Sequence, residues 1–515
     1  MNCSDPTIFL SRLLNPLIGL VTEAFLDNEQ VHTVVCDLII NVITNCKNFQ
    51  IFPVLRQLIE LLLELLENSF KTVKAKVCIC LNSLTKVVPV ELQYFTKEIL
   101  ECLVHCLKHP DFNVRLTSLE ALGSFGFIFS DSNFEFMFDY ILGKKTDSCF
   151  RVLEFSQENI LSNVLRDEDS EVRKKFFSVV CEWLTLLPYK VKLKEKLVPF
   201  LLMGLFDPVL DVRDFCMELV VGVGAANEQG EKLGTETDPG LEGVYPWHPF
   251  ENRPRFGVKQ YFLGYFLEVC PCLLLELNNF MSGYRETAAK MLFALMVLTE
   301  HVQEENAETI IMGLMSGINP NELENTQKTI FQCFELAGRF ISARLYMWIL
   351  SKAKVKTPMY CMFLCIPTKT VPINSQLVAL SHLIKGSLGK QQDSDLEQCL
   401  PKILKFVRKF ERSKFSLQIC SILIESSTPM FSSPSTSTPS SQNSKSFNDL
   451  CKTEIFSLLV EHEHESIGKL VKTVQEMWYQ LDLTHFNSTI QALMLRISSV
   501  SSSEWRTSNN NVISK

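Results

Sequence analysis

Apolar residues recur at helical spacing on both sides of a short polar turn in residues 197–221. They stand three and four positions apart in 197–205 and again in 212–220. This spacing places the apolar side chains on one face of each helix. Between the two runs, Pro208 disfavours a helical conformation at Asp207 and so ends the first helix. The segment therefore predicts a helical hairpin with a tight polar turn.

The same hairpin pattern recurs along the chain in register. It is marked by a Val-Arg pair or a weaker version of one: Val31-His32, Val73-Lys74, Val114-Arg115, Val172-Arg173, Val212-Arg213, Tyr284-Arg285 and Gln327-Lys328. Successive pairs are separated by 42, 41, 58, 40, 72 and 43 residues. Four of these intervals lie near the period of HEAT and armadillo repeats, about 40–47 residues. The sequence therefore predicts an all-α fold, a HEAT/armadillo-like α-solenoid superhelix of stacked helical hairpins.

Composition marks the boundaries between the predicted repeats and the segments that interrupt or follow them. A solenoid suits a chain of 515 residues, because each repeat buries its apolar face against its neighbours. We expect one extra helix, near residues 134–142, to account for the interval of 58. The predicted organisation is HEAT repeats in 1–222, a Gly/Pro-rich loop insertion in 223–258, HEAT repeats in 259–426, a Ser/Thr/Pro-rich linker in 427–448, C-terminal helices in 449–498 and a disordered tail in 499–515.

Aspartates and arginines of the turns are the candidate site residues, and we expect them to be structural. Asp207 is placed to accept hydrogen bonds from Arg213 or from the arginine of a neighbouring repeat. A carboxylate near a helix N-terminus is also favoured by the helix dipole. The predicted structural ladder consists of Asp111, Arg115, Asp167, Arg173, Asp207, Arg213 and Arg285.

Net charge and cysteine usage limit the kinds of partner and the cellular location that we expect for this chain. A net charge of −8 and a pI of about 5.7 argue against nucleic acid as a partner, which would require a basic surface. The 18 cysteines are scattered through apolar helix faces, and no secretory leader pattern precedes them. We therefore expect reduced thiols and a cytoplasmic location. No apolar run of about 18 residues lacks charge, so we expect no membrane span.

Motifs that could carry chemistry are incomplete. The run Gly222–Asn227 lacks the third glycine of a dinucleotide-binding loop and follows a helix. His462 and His464 are two residues apart and so point to different sides of a helix. The cysteine pairs that begin at Cys78 and Cys270 lack a second pair at zinc-site spacing. We predict no catalytic residue, no cofactor, no metal site and no enzyme.

A basic stripe near the end of the second repeat region is predicted to be a solvated helix face. A patch for an acidic partner is the alternative interpretation. The stripe consists of Lys402, Lys405, Arg408, Lys409, Arg412 and Lys414.

A further set of motifs lies between residues 197 and 340. It comprises Leu197–Arg213, Tyr245-Pro246, Arg253-Pro254-x-Phe256-Gly257, Pro271, Gly283, Arg285 and Cys333-x-Glu335-Leu336-x-Gly338-x-Phe340. Together they resemble the factor-five branch of the HEAT-repeat dynein axonemal assembly factors, over about residues 152–407. Members of that family are longer at both ends, so we expect this chain to begin inside the array.

The resemblance implies a non-enzymatic scaffold for the cytoplasmic pre-assembly of outer and inner dynein arms, needed for the motility of cilia or flagella. Its partners would be axonemal dynein subunits, particularly intermediate chains, together with chaperones and co-chaperones. A generic HEAT scaffold, of the transport-receptor or phosphatase-subunit type, remains the alternative.

Overall fold

A computed structural model describes residues 28–408, apart from 46–50, 52–53, 68–69, 130, 143–152, 154–158, 189, 232–244, 301–305, 320, 353–372 and 389–393, and the isolated positions 16, 419 and 422. Within this part of the chain the regular structure is helical and no strand occurs. The prediction of an all-α fold is therefore confirmed. The predicted linker, C-terminal helices and tail in 427–515 lie outside the described residues.

The chain divides into two compact units, Met1–Leu273 with Val297–Thr299, and Leu274–Met296 with Glu300–Lys515. Helices of the first unit are α1 (Glu29–Asn45), α2 (Leu55–Glu67), α3 (Lys71–Val87), α4 (Thr96–Leu107), α5 (Phe112–Ile128), α6 (Asp131–Leu142), α7 (Ile160–Val164), α8 (Ser170–Leu186), α9 (Lys190–Gly204), α10 (Leu210–Glu231) and most of α11 (Phe256–Glu276). A 3-10 segment, Glu91–Phe95, precedes α4.

Helices of the first unit repeat one packing arrangement. The second helix of each hairpin lies against the second helix of the next, in the order α1, α3, α5, α8 and α10. The first helices α2, α4 and α9 pack on α3, α5 and α10 respectively. Side chains such as Leu81, Leu122 and Phe177 are fully buried between them. This stacking of hairpins is an α-solenoid, as the repeat spacing predicts.

The first insertion contributes aromatic side chains to this core. Helix α6 occupies the region of the predicted extra helix, and its Phe134 and Phe138 rings lie 5.7 and 6.4 Å from the Trp183 ring of α8. The indole Nε1 of Trp183 donates a hydrogen bond to the Gly123 carbonyl of α5 at 3.0 Å. A Cβ atom at Gly126 would come within 2.8 Å of the Trp183 ring. The inserted helix is therefore part of the solenoid core.

The second insertion begins later than the composition indicates. Helix α10 continues to Glu231, nine residues beyond the predicted boundary at Gly222. Glycine here reflects close packing, because a Cβ atom at Gly224 would lie 2.7 Å from the backbone nitrogen of Val258. Two glycines that look like a loop signal in the sequence are thus helical.

The second unit contains the rest of α11 and most of α12 (Ser282–Thr299), followed by α13 (Ala307–Ser316), α14 (Glu324–Phe340), α15 (Ala343–Lys352), α16 (Ile373–Leu388) and α17 (Ser394–Arg408). Helix α14 packs along α16, and α15 contacts both α13 and α17. The backbones of α14 and α16 lie so close together that glycine is required at two positions. A Cβ atom at Gly338 would lie 2.7 Å from the carbonyl carbon of Leu383, and one at Gly386 would lie 2.7 Å from that of Glu335.

The length and apolar composition of helix α11 contradict the expectation that no segment could cross a membrane. Among the described helices, it alone has the length and apolar composition of a candidate membrane span. Less than half of its most apolar stretch is buried. A core helix of a globular protein passes the same test. Phe262, Phe266 and Leu273 of α11 are buried.

Candidate functional site

Arg173 and Asp207 form the most buried ion pair of the predicted ladder. Arg173 lies in the first turn of α8, and its Nε and Nη2 atoms donate to the Asp207 carboxylate at 2.7 and 2.8 Å. Its Nη1 atom donates to the Asp167 carbonyl oxygen of its own turn at 2.7 Å. The side chains of Arg173 and Asp207 are 6% and 4% exposed. One guanidinium therefore joins two successive turns.

The same pattern surrounds Arg115 one repeat earlier. Its Nε and Nη2 atoms donate to Asp167 at 2.6 and 2.7 Å, and its Nη1 donates to the His109 carbonyl at 2.9 Å. Hydrogen bonding to Asp167, the largest cause, raises the pKa of the Arg115 guanidinium above its usual value. Bidentate arginine–carboxylate pairs of this kind fix geometry as well as charge.

In the second unit, Arg285 completes the series with a different acid. Its Nη1 donates to the Asn279 carbonyl at 2.7 Å and its Nη2 to Glu322 Oε1 at 3.1 Å, while Nε donates to Glu322 Oε2. Glu322 was missed by the sequence analysis. Its signal was available, because Glu322 precedes Lys328 by six residues, as Asp207 precedes Arg213.

Burial alone would raise the pKa of the Glu322 carboxyl. Hydrogen bonds from Arg285 and from the Leu323 amide outweigh burial and hold that pKa below its usual value. Glu322 is therefore held ionised in this contact, as its partner requires.

Two predicted ladder residues have other surroundings. Asp111 caps α5, with its side chain accepting a hydrogen bond from the Asn113 amide at 3.0 Å, and it pairs with Lys71 at 2.9 Å. The Nε atom of Arg213 is buried and has no hydrogen-bond partner among the described residues. The sequence left two possible donors open for Asp207. The structure shows the arginine of the preceding repeat, Arg173, and not Arg213.

Glu335 of the Cys333–Phe340 motif forms a second charged contact, between α14 and α16. The Nδ1 atom of His382 lies 3.0 Å from Glu335 Oε1, and Lys385 Nζ donates to the same oxygen at 2.8 Å. The His382 ring stacks on Phe331, with centroids 4.4 Å apart. His382 and Lys385 lie 47 and 50 residues from Glu335, outside any motif, so no sequence pattern indicates this contact.

A segment of the second insertion lies on the first unit. Tyr245 and Phe250 are both buried, and the Phe250 ring lies 6.2 Å from that of Phe206, in the turn between α9 and α10. His248 Nε2 lies 2.8 Å from Asp214 Oδ1 on α10. The Tyr245-Pro246 motif is therefore anchored beside the start of α10.

The glycine run of α10 and the buried thiols of Cys181 and Cys270, all among the described residues, lack the features that their candidate chemistry requires. Gly222 and Gly224 lie inside α10, where the phosphate-binding loop geometry is absent. Among the described residues no cluster of three or more His, Cys, Asp or Glu residues could hold a metal ion. Burial raises the pKa of the Cys181 thiol to about 11 and that of Cys270 to about 12. These thiols are therefore protonated at neutral pH and weak nucleophiles.

The basic stripe and the histidines of the 461–465 run lie partly or wholly outside the described residues. Lys402 and Lys405 are exposed on α17, as expected for a solvated face. The side chains of Arg408, Lys409, Arg412 and Lys414, and both histidines of the 461–465 run, lie outside the described residues.

Comparison with known proteins identifies related sequences. Residues 18–232 match the family model described as dynein axonemal assembly factor 5-like, TPR repeats. The observed intervals of 40–43 residues are nearer the HEAT period than the tetratricopeptide period of about 34 residues. Human dynein axonemal assembly factor 5 is 25% identical over 293 residues, which cover 56% of this chain and 32% of that protein. The Xenopus laevis protein of that name is 19% identical over 413 residues, covering 77% and 46%. This chain therefore spans less than half the length of these relatives.

Solved structures that align with this chain do so at low TM-scores and low sequence identity. Yeast importin-beta (Kap95p) aligns with a TM-score of 0.35 and 13% identity, over 95% of this chain and 52% of that one. A computationally designed armadillo repeat protein for modular peptide recognition aligns with a TM-score of 0.29 and 12% identity, over 55% and 99%.

Proposed function

On the premise that this chain is a divergent relative of dynein axonemal assembly factor 5, we propose that it is a non-enzymatic scaffold for the assembly of axonemal dynein. The match of residues 18–232 to the family model is the observation that carries this proposal. The finer proposal is that the scaffold acts in the cytoplasm, before outer and inner dynein arms reach the cilium or flagellum. There it binds dynein intermediate chains and works alongside chaperones.

The side-chain chemistry supports a holding role. The guanidinium groups of Arg115, Arg173 and Arg285 are already engaged by carboxylates and carbonyl oxygens of the turns. They therefore stabilise the array and are poor candidates for catalysis. Stacked repeats present extended rows of helix faces, which suit the binding of a large client without a chemical step.

Recovery of partners from ciliated cells tests this function. The tagged 515-residue chain would be captured from differentiating multiciliated cells, and the bound proteins would be identified by mass spectrometry. We expect dynein intermediate chains and chaperones to be enriched over a tagged HEAT protein of a different class. Capture without any axonemal dynein subunit would refute the proposal.

Cell-type expression and fractionation separate the alternatives. A generic HEAT scaffold of the transport-receptor or phosphatase type should be present in every tissue. A dynein assembly scaffold should be confined to cells that build motile cilia or flagella. Its cytoplasmic action predicts that the complex with dynein is recovered from cytosol before axonemes form. Recovery only from isolated axonemes would contradict a cytoplasmic site.

A further inference from the structure

Two pairs of buried thiols lie between neighbouring described helices of the first unit. Cys78 on α3 and Cys106 on α4 are 0% and 1% exposed, and their thiols are hydrogen-bonded to each other. Cys36 on α1 and Cys80 on α3 are fully buried and hydrogen-bonded in the same way, with Cys80 Sγ 3.8 Å from the Cys36 carbonyl oxygen. Adjacent thiols are the groups from which a disulfide forms. The two pairs have similar burial and differ in the charges around them.

An ammonium group lies beside the first pair. Lys74 stands one helical turn before Cys78, so the two side chains share a face of α3, and Lys74 is buried. Its Nζ atom donates a hydrogen bond to the Leu66 carbonyl oxygen. Hydrogen bonding from Cys78, the largest cause, and the charge of Lys74 lower the pKa of Cys106 below its usual value, although burial acts to raise it. The same hydrogen bond and burial raise the pKa of the Cys78 thiol, so Cys106 is the thiolate of this pair.

The second pair lies near a carboxylate. Hydrogen bonding with Cys36, burial and the charge of Asp37 raise the pKa of the Cys80 thiol. Solvent access differs as well, because Cys102, one turn before Cys106 on the same face of α4, is partly exposed. This face of α4 therefore extends to the protein surface. A small oxidant meets a thiolate and a route to it at Cys106, and thiolate character and access govern oxidation.

We propose that Cys78 and Cys106 are a peroxide-sensitive pair whose oxidation to a disulfide links α3 to α4. The Cys106 thiolate attacks hydrogen peroxide: an S–O bond forms, the O–O bond breaks, and hydroxide leaves and becomes water with the proton that Cys106 had lost. The Cys78 sulfur then attacks the sulfenic sulfur of Cys106. The S–S bond forms, the S–O bond breaks, and the hydroxyl group leaves as a second water with the Cys78 proton. Two electrons pass from the two sulfurs to peroxide.

The disulfide joins helices of successive repeats. Helix α3 is the second helix of one hairpin, and α4 is the first helix of the next. A covalent link across this junction restricts the unfolded chain and so stabilises the folded one. Oxidation therefore raises the thermal midpoint of the protein, and dithiothreitol returns it to its original value. Intracellular disulfides are usually transient and often redox-sensing, as this reversible link is.

Peptide mapping of the oxidised 515-residue chain tests the pair. The reduced protein is freed of reductant and treated with hydrogen peroxide, its remaining thiols are blocked with N-ethylmaleimide in urea, and it is digested with trypsin without reduction. Cleavage after lysine places Cys78 in peptide 77–86 and Cys106 in peptide 98–108. We expect a crosslink between these two peptides that dithiothreitol reverses. Oxidation of the folded chain without this crosslink would overturn the proposal.

Serine substitutions assign the crosslink, because each peptide contains a second cysteine, Cys80 or Cys102. Cys78→Ser and Cys106→Ser should abolish it. The matched controls Cys80→Ser and Cys102→Ser leave the Cys78–Cys106 contact in place and should retain it. Loss of the crosslink in either control, or its survival without Cys78 or Cys106, would refute the assignment.

The second thiol pair provides an internal comparison for the role of Lys74. In the unmodified chain, the Cys78–Cys106 link should form faster than a link between Cys36 and Cys80. Lys74→Met keeps an apolar side chain and removes the ammonium group. The variant should form the Cys78–Cys106 link about three- to fourfold more slowly for each unit by which the Cys106 pKa rises, because higher nucleophilicity offsets part of the loss of thiolate. Equal rates for the two pairs, or an unchanged rate in Lys74→Met, would refute activation of this pair by its surroundings.

Discussion

Truncation of Arg173 should destabilise the protein far more than truncation of Arg213, although the two arginines occupy the same position in successive repeats. Arg173→Ala removes both hydrogen bonds to Asp207 and the bond to the Asp167 carbonyl. It also leaves the Asp207 carboxylate in a buried site. Breaking a buried ion pair from one side costs about 3–5 kcal/mol of unfolding free energy.

The matched variant Arg213→Ala removes a guanidinium whose Nε makes no hydrogen bond among the described residues. Because this Nε atom is buried without a hydrogen-bond partner among the described residues, its removal breaks no hydrogen bond there, and we expect a loss of less than about 1 kcal/mol of unfolding free energy. The two variants delete the same atoms from the same turn of successive second helices. Their difference thus isolates the carboxylate pairing from the general effect of shortening an arginine.

Urea unfolding of the full chain, followed by far-UV circular dichroism, measures both effects. A double-mutant cycle with Asp207→Ala completes the test. The double variant should lose less unfolding free energy than the sum of the two single losses, because removing both side chains leaves no buried partner unpaired. Equal losses for Arg173→Ala and Arg213→Ala, or additive losses in the cycle, would refute the ladder as the source of stability at this junction.

Three further predictions concern helix packing, capping and pH. Gly338→Ala should destabilise the protein by about 1–3 kcal/mol, because its Cβ atom would collide with α16. The control Gly264→Ala has open space around the new Cβ atom and should be neutral or stabilising by up to ~1 kcal/mol. Comparable urea midpoints for the two variants would contradict this prediction. Asp169→Ala should cost about 0.5–2 kcal/mol by uncapping α8, measured by thermal unfolding. Burial acts to raise the pKa of Glu335, but hydrogen bonds from His382 and Lys385 lower it. The contribution of Glu335 is thus present above its ordinary value of 4.5 and lost as pH falls through its lower folded value, and Glu335→Gln should flatten that acid loss in urea midpoints.

The repeat spacing predicted the fold because it reports a local requirement. Each hairpin needs apolar residues at helical intervals and a polar turn, and both features can be recognised in a sequence segment such as 197–221. Which arginine pairs with which carboxylate depends on contacts between repeats, and these are not local in the sequence. The sequence alone left the donor to Asp207 undecided, since Arg173 and Arg213 lie at sequence distances that only the stacking of repeats resolves.

Glycine shows the limit of composition as a guide. Composition predicts that a loop begins at Gly222 and Gly224, because glycine is frequent in loops. In the structure Gly224 serves close approach between α10 and α11. The contact of Glu335 with His382 was likewise invisible, because the two residues lie in different helices with no shared motif. The anchoring of residues 245–250 depends on ring contacts with Phe206 that no spacing encodes.

Hydrogen bonding between successive turns runs in one direction along the chain. Arg115 reaches forward to Asp167, and Arg173 reaches forward to Asp207. The repeat that carries Asp167 and Arg173 consequently accepts hydrogen bonds from its predecessor and donates them to its successor. These junctions therefore close head to tail: a repeat that carries both groups can be removed or moved without loss of pairing, whereas a repeat that lacks one of them leaves an arginine upstream or a carboxylate downstream unpaired. An engineered shuffle of repeats would have to preserve this polarity for the new junctions to close.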